Sequence, residues 1–137
     1  MAVRLRPDFQ ALEKTVRRLE DSGSIVSLFV DPDPETLEAC ARAGARVIEL
    51  HTGAFCDASG PAEAEAELRR LIAGAETAHS LGLQVNAGHG INLDNLPPIL
   101  TLPHLDTLNI GHSIIARAVF QGLERAVREL IQAMNHG

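Results

Sequence analysis

Three short stretches of this sequence gather side chains able to move protons or hold an anion. They are Glu49 with His51, then Asn86 with His89 and Gly90, then Asn109 with Gly111 and His112. Glu49 and His51 lie two residues apart, so on a strand they share a face, and Ile48 and Leu50 take the other. A carboxylate among apolar strand residues is costly unless it is paired or used. Glu49 is therefore either a charge-stabilising group or half of a structural ion pair. His51 could serve chemistry or simply hydrogen-bond a neighbouring loop. His89 stands between Gly88 and Gly90. Glycines there allow a ligand to approach the backbone and leave the imidazole exposed, although a tight turn with an incidental histidine has the same pattern. Gly111-His112-Ser113 runs directly into a helical pattern. Free N–H groups and the positive helix end suit a phosphate at such a place, with a plain Ser113 N-cap as the structural alternative. Glu49, His51, His89 and His112 could also converge as ligands of Zn²⁺ or a similar ion.

Four short apolar runs must carry these groups: about 25–30, 46–51, 83–87 and 107–110. Ile25 to Val30 is a continuous apolar run with little alternation, which suits a strand covered on both faces. Helical patterns separate the runs. One stripe is Phe9, Leu12, Val16 and Leu19, with Asp8 placed to cap it and Gly23 after its end. Asp33-Pro34 opens a second helix that stops at Gly44, and Pro61 opens a long one that closes at Gly82. A short helix over about 95–100 contains Pro97 and Pro98. A single final helix is expected from Ser113, with Ile114, Ala118, Val119, Leu123, Val127, Leu130 and Met134 on its buried face. Such alternation predicts an α/β domain of parallel βα repeats spanning 1–137 without an internal boundary. Four strands make either a small open doubly wound sheet or half of a TIM (β/α)8 barrel, since a whole barrel needs about 250 residues. All three polar stretches fall at the carboxyl ends of strands, the edge where parallel α/β folds bind ligands.

Composition narrows the function classes. The net charge is −6, and Trp and Tyr are absent, so neither an electrostatic footprint nor a stacking platform for nucleic acid is expected. There is no apolar run of about 18 residues to span a membrane. The start, MAVRLRPDF, lacks the apolar stretch of a signal peptide. Cys40 and Cys56 fit no metal spacing and read as free thiols of a cytoplasmic protein. Cys56 lies in the loop after Glu49, but no base is fixed beside it by sequence. His79, His104 and His136 fall on surfaces, and Arg17, Arg18, Arg69 and Arg70 read as solvated helix faces.

The runs Val26-Ser-Leu-Phe-Val-Asp31, Ile48-Glu-Leu-His-Thr-Gly53, Val85-Asn-Ala-Gly-His-Gly90 and Leu108-Asn-Ile-Gly-His112 resemble successive strand motifs of the pyridoxine 5′-phosphate synthase family. The resemblance runs from about Phe9 to the end and includes Ser80-Leu-Gly-Leu and Ile114-Ile-Ala-Arg-Ala118. It implies a (β/α)8 barrel that condenses 1-deoxy-D-xylulose 5-phosphate with 3-amino-2-oxopropyl phosphate, without metal or organic cofactor. It further implies His89 as proton donor and Glu49 as transition-state stabiliser. Gly90, Gly111 and His112 would hold the phosphate of the amino ketone. The matching motifs belong to the second half of the family barrel. The first half supplies another catalytic His, a catalytic Glu and most contacts to the deoxyxylulose phosphate. The chain therefore reads as a fragment, expected to pair with a first-half chain or with copies of itself. A non-catalytic half-barrel that binds a phosphorylated metabolite, or a metal-dependent hydrolase or lyase, are the competing expectations.

Overall fold

A computed structural model describes residues 9–135. The proposed Asp8 cap, the lead-in over 1–6 and His136 lie outside the described residues. The elements are α1 (Phe9–Asp21), β1 (Ser27–Val30), α2 (Pro34–Arg42), β2 (Val47–His51), α3 (Gly53–Cys56) and α4 (Pro61–Ser80). They continue with β3 (Gln84–Gly88), α5 (Leu96–Ile99), β4 (Leu105–Asn109), α6 (His112–Gln121) and α7 (Leu123–Asn135). The four strands form one sheet in the order β1-β2-β3-β4, and every neighbouring pair is parallel. This is the α/β alternation of half a (β/α)8 barrel.

One face of the sheet makes the core. Ile48, Leu50, Val85 and Ala87 meet Leu37, Cys40, Leu71, Ala75 and Ala78 from the helices. Full burial of each large aliphatic stabilises by about 1.5–3 kcal/mol, more than a typical net hydrogen bond. The helix-covered face thus anchors the sheet and leaves the other face free to carry polar groups. A smaller cluster joins Val16 of α1 to Ala43 and Ala45. Gly74 is where α4 crosses the β1–α2 loop: a Cβ there would lie 2.5 Å from Pro32 Cβ.

Strand limits follow local hydrogen bonds. β1 begins at Ser27 because the Val26 N–H is taken by the Glu20 carboxylate at 2.9 Å. β4 begins earlier than its apolar run, at Leu105, through a register shift opposite Val85 and Asn86. Asp106 falls in that irregularity and accepts from the Gln84 amide at 2.8 Å. The single final helix expected from Ser113 onward is in fact two. Gly122 sits at φ +86, which a continuing right-handed helix cannot accommodate, so the chain turns between α6 and α7. Among the described residues no helix is long and apolar enough to cross a membrane.

Candidate active site

Parallel register places Phe29, Glu49, Asn86 and Thr107 side by side across the sheet, with His51, Gly88 and Asn109 forming the next row. Ile48 and Leu50 are fully buried on the opposite face, so Glu49 and His51 project away from the helices. Among the described residues Glu49 makes no ion pair. Its Oε2 accepts from Asn109 Nδ2 at 2.7 Å, across the intervening strand β3. That reach is possible because position 88 has no side chain. A Cβ on Gly88 would lie 2.1 Å from Glu49 Oε1 and 2.9 Å from the Asn109 carbonyl.

The histidines form a second group beside it. The His51 and His89 ring centroids are 5.1 Å apart, and Phe29 meets His51 edge-on at 4.9 Å. His51 Nδ1 lies 3.2 Å from Asp31 Oδ1, at the end of β1. A carboxylate can only accept, so Nδ1 carries the proton and Nε2 turns to the other side. Gly53 makes room there: a Cβ would come within 2.6 Å of His51 Nε2 and 3.2 Å of His89 Cδ2. His89 is exposed, and its backbone adopts φ +81, followed by Gly90 at φ +78. Non-glycine residues in this left-handed region are under strain and concentrate at functional sites.

Gly90 and the start of α6 belong to one loop cluster. The Gly90 carbonyl accepts from Asn95 Nδ2 at 3.1 Å. Ser113 Oγ donates to the Ile91 carbonyl at 2.7 Å, tying the first turn of α6 to the residue after Gly90. Ser113 is therefore not the N-cap: α6 begins at His112, Gly111 holds the cap position, and the Ser113 hydroxyl is spent on the tether. A Cβ on Gly90 would clash with Cys56 at 2.7 Å, whereas one on Gly111 would meet nothing within 4 Å. Gly90 thus has a packing reason to be glycine, and Gly111 has none inside the chain. Gly111 and His112 are both exposed.

Burial raises the Cys56 thiol above its usual value, with the Thr52 hydroxyl pulling weakly the other way. Fully buried Cys40 is pushed up to about 11. Neither thiol is poised as a nucleophile. Among the described residues no group of three or more His, Cys, Asp or Glu side chains is arranged to hold a metal ion. Glu49, His51, His89 and His112 therefore do not form a ligand set.

Sequence reasoning missed three members of this site. Asp31 and Phe29 sit in β1 and the loop after it, where no spacing connects them to His51 in β2. Thr52 is fully buried, its N–H donating to the Gly88 carbonyl at 3.0 Å. Its hydroxyl lies 2.7 Å from that oxygen and 2.5 Å from the His89 carbonyl. The one available signal was its place directly after the Glu49–His51 pair.

Comparison with known proteins identifies relatives of the chain. The family model for the pyridoxal phosphate biosynthesis protein PdxJ matches residues 3–136. A pyridoxine 5′-phosphate synthase of Akkermansia muciniphila is 55% identical over 125 residues, covering 90% of this chain and 50% of the relative. One from a Synechococcus species is 51% identical over 123 residues, covering 90% of this chain and 52% of the relative. One from Legionella pneumophila is 53% identical over 123 residues, with 90% and 50% covered. The chain spans about half the length of the curated relatives it matches.

Proposed function

The chain belongs to the PdxJ family of pyridoxal phosphate biosynthesis proteins, and we propose that it is the second half of a pyridoxine 5′-phosphate synthase active site. In this reading the completed barrel condenses 1-deoxy-D-xylulose 5-phosphate with 3-amino-2-oxopropyl phosphate, releasing inorganic phosphate and water. The observation that carries it is the meeting of the Glu49 carboxylate with Asn109 over Gly88, beside the paired imidazoles of His51 and His89. Ring closure by condensation needs repeated proton transfers and the loss of hydroxyl groups as water. His89 donates the proton that lets a hydroxyl leave. Glu49 stabilises the positive charge that develops on the nitrogen-bearing carbon skeleton, an electrostatic role that suits a preorganised carboxylate.

Gly90, Gly111 and His112 hold the phosphate of the amino ketone. The open space at Gly111 and the free N–H groups at the start of α6 support this assignment. No step calls for a metal or an organic cofactor. The remaining acid–base groups and the contacts to the sugar phosphate come from a first-half polypeptide. The cytoplasm is the proposed setting, because Cys40 and Cys56 are both unpaired.

The test joins this chain to the first half of the Akkermansia muciniphila relative, by fusion or co-expression. Pyridoxine 5′-phosphate should form from the two substrates and should be lost in His89→Ala. A folded, joined barrel that binds inorganic phosphate but makes no product would replace the synthase reading with a non-catalytic phosphate-binding one.

A further inference from the structure

We propose that Thr52 is a positioning residue whose hydroxyl holds His89 in its left-handed backbone conformation and so aims the imidazole. The proposal rests on His89 being the proton donor. In an extended strand, successive carbonyls point in opposite directions. Here two successive carbonyls, those of Gly88 and His89, converge on one hydroxyl, at 2.7 and 2.5 Å. The dihedrals of His89 alone set the relative direction of those two groups. They converge once His89 leaves the β region for a helical one, and between Gly88 and Gly90 the departure taken is the left-handed one, at φ +81. The Thr52 hydroxyl, shared between the two oxygens, therefore favours the observed left-handed conformer over the extended one.

Thr52 is well placed to hold rather than to react. It is 0% exposed. Its own N–H donates to the Gly88 carbonyl at 3.0 Å, which fixes Thr52 to the end of β3. On its far side the Cys56 thiol lies 3.9 Å from the hydroxyl and 3.6 Å from the His89 carbonyl, closing the turn from behind. The next residue, Gly53, leaves the gap into which His51 and His89 both fit. Without the hydroxyl, the backbone strain at His89 has less to oppose it. The turn then relaxes toward the extended form, and the imidazole swings away from His51, whose ring centroid lies 5.1 Å from it.

The experiment uses isotope-labelled chain and the His89 Cα and Cβ chemical shifts, which report its backbone dihedrals. Thr52→Val keeps the volume and removes the donor. The His89 shifts should move toward extended values while those of Leu50 and Val85 stay in place. Thr52→Ser restores the donor and should restore the shifts. Unchanged left-handed shifts in Thr52→Val overturn the proposal. Should that variant fail to fold, Thr52→Cys carries the same comparison. Its weak donor should move the shifts part of the way, and no movement again overturns the latch. In the chain joined to a first half, Thr52→Val should lower kcat by about 10- to 100-fold, as small misplacements of a reacting group do, with KM nearly constant. A shift response in a joined protein that is inactive even as wild type would refute the synthase reading and leave the latch standing.

Discussion

His89 combines a backbone that glycine would adopt freely with a side chain that glycine lacks. At φ +81 a Cβ costs about 1–2 kcal/mol relative to the ordinary regions. Stability and function should therefore part company at this position. His89→Ala keeps the strain and loses the ring contacts to His51 and Phe29, while His89→Gly removes the strain. We expect His89→Gly to be the more stable of the two by about 1 kcal/mol in urea unfolding, even after the extra unfolded-state entropy of glycine. Both variants should lack turnover in a completed barrel. An alanine variant as stable as the glycine one would mean that the left-handed turn is not strained. The sequence displayed this residue plainly, because a histidine between two glycines is conspicuous. It could not display Thr52, whose hydroxyl meets two carbonyls at and just past the end of another strand. Nor could it display the carboxylate of Asp31 reaching His51 across twenty positions. Glu49 and His51 were legible as a pair because strand alternation is local, whereas the amide that holds Glu49 lies sixty positions away.

The elements that position these groups were legible wherever periodicity runs for several turns, as in α1 and α4, wherever end signals bracket a short helix, as Asp33-Pro34 and Gly44 bracket α2, or wherever an apolar run is unbroken. The final helical stripe misled for the same reason. Ile114, Ala118, Leu123, Val127 and Leu130 keep a helical spacing straight across Gly122, so the pattern passes over a break that the backbone makes at φ +86. α3 is too short to have a pattern. Once α6 and α7 are separate helices, something must hold them together, and Glu129 of α7 does so. Gln121 Nε2 donates to it at 2.8 Å from the end of α6, Arg117 of α6 pairs with the same oxygen, and Arg125 Nε of α7 donates at 2.9 Å. The Gln121 amide, then the Arg117 and Arg125 guanidinium groups, hold the Glu129 carboxyl down to about 2, from an ordinary value of 4.5. A lowered folded-state value means that the stabilisation is fully present above pH 4.5 and is lost as pH falls toward about 2. The stability difference between wild type and Glu129→Gln should accordingly be level above about pH 5.5 and shrink steadily below pH 4. Urea midpoints measured at several pH values decide this. A difference that does not change with pH would show that the bridge between the two helices is not ionic.

At the scale of the whole molecule the count of strands matters more than any one residue. Composition and charge are those of an ordinary domain and give no hint that half of something is present. Four βα units, against the eight of a closed barrel, give that hint. Among the described residues β1 and β4 each have one neighbour and one open edge, a standing template for further pairing. Phe29 is 41% exposed on the polar face of the sheet, and Val119 and Phe120 of α6 are 77% and 92% exposed. Covering one such aromatic stabilises by about 1.5–3 kcal/mol. The chain alone should therefore associate as its concentration rises, with weight-average mass in sedimentation equilibrium climbing above that of one chain. Two surfaces could drive this, and they respond differently. If the open sheet edges do, adding a first-half polypeptide should replace self-association with a one-to-one complex, and Phe120→Glu should change little. If the apolar face of α6 does, Phe120→Glu should abolish self-association, and the first half should bind without abolishing it. A single-chain mass at every concentration, together with a sharp cooperative melt, would mean that four strands and their helices satisfy themselves, and that barrel closure is not what this chain lacks.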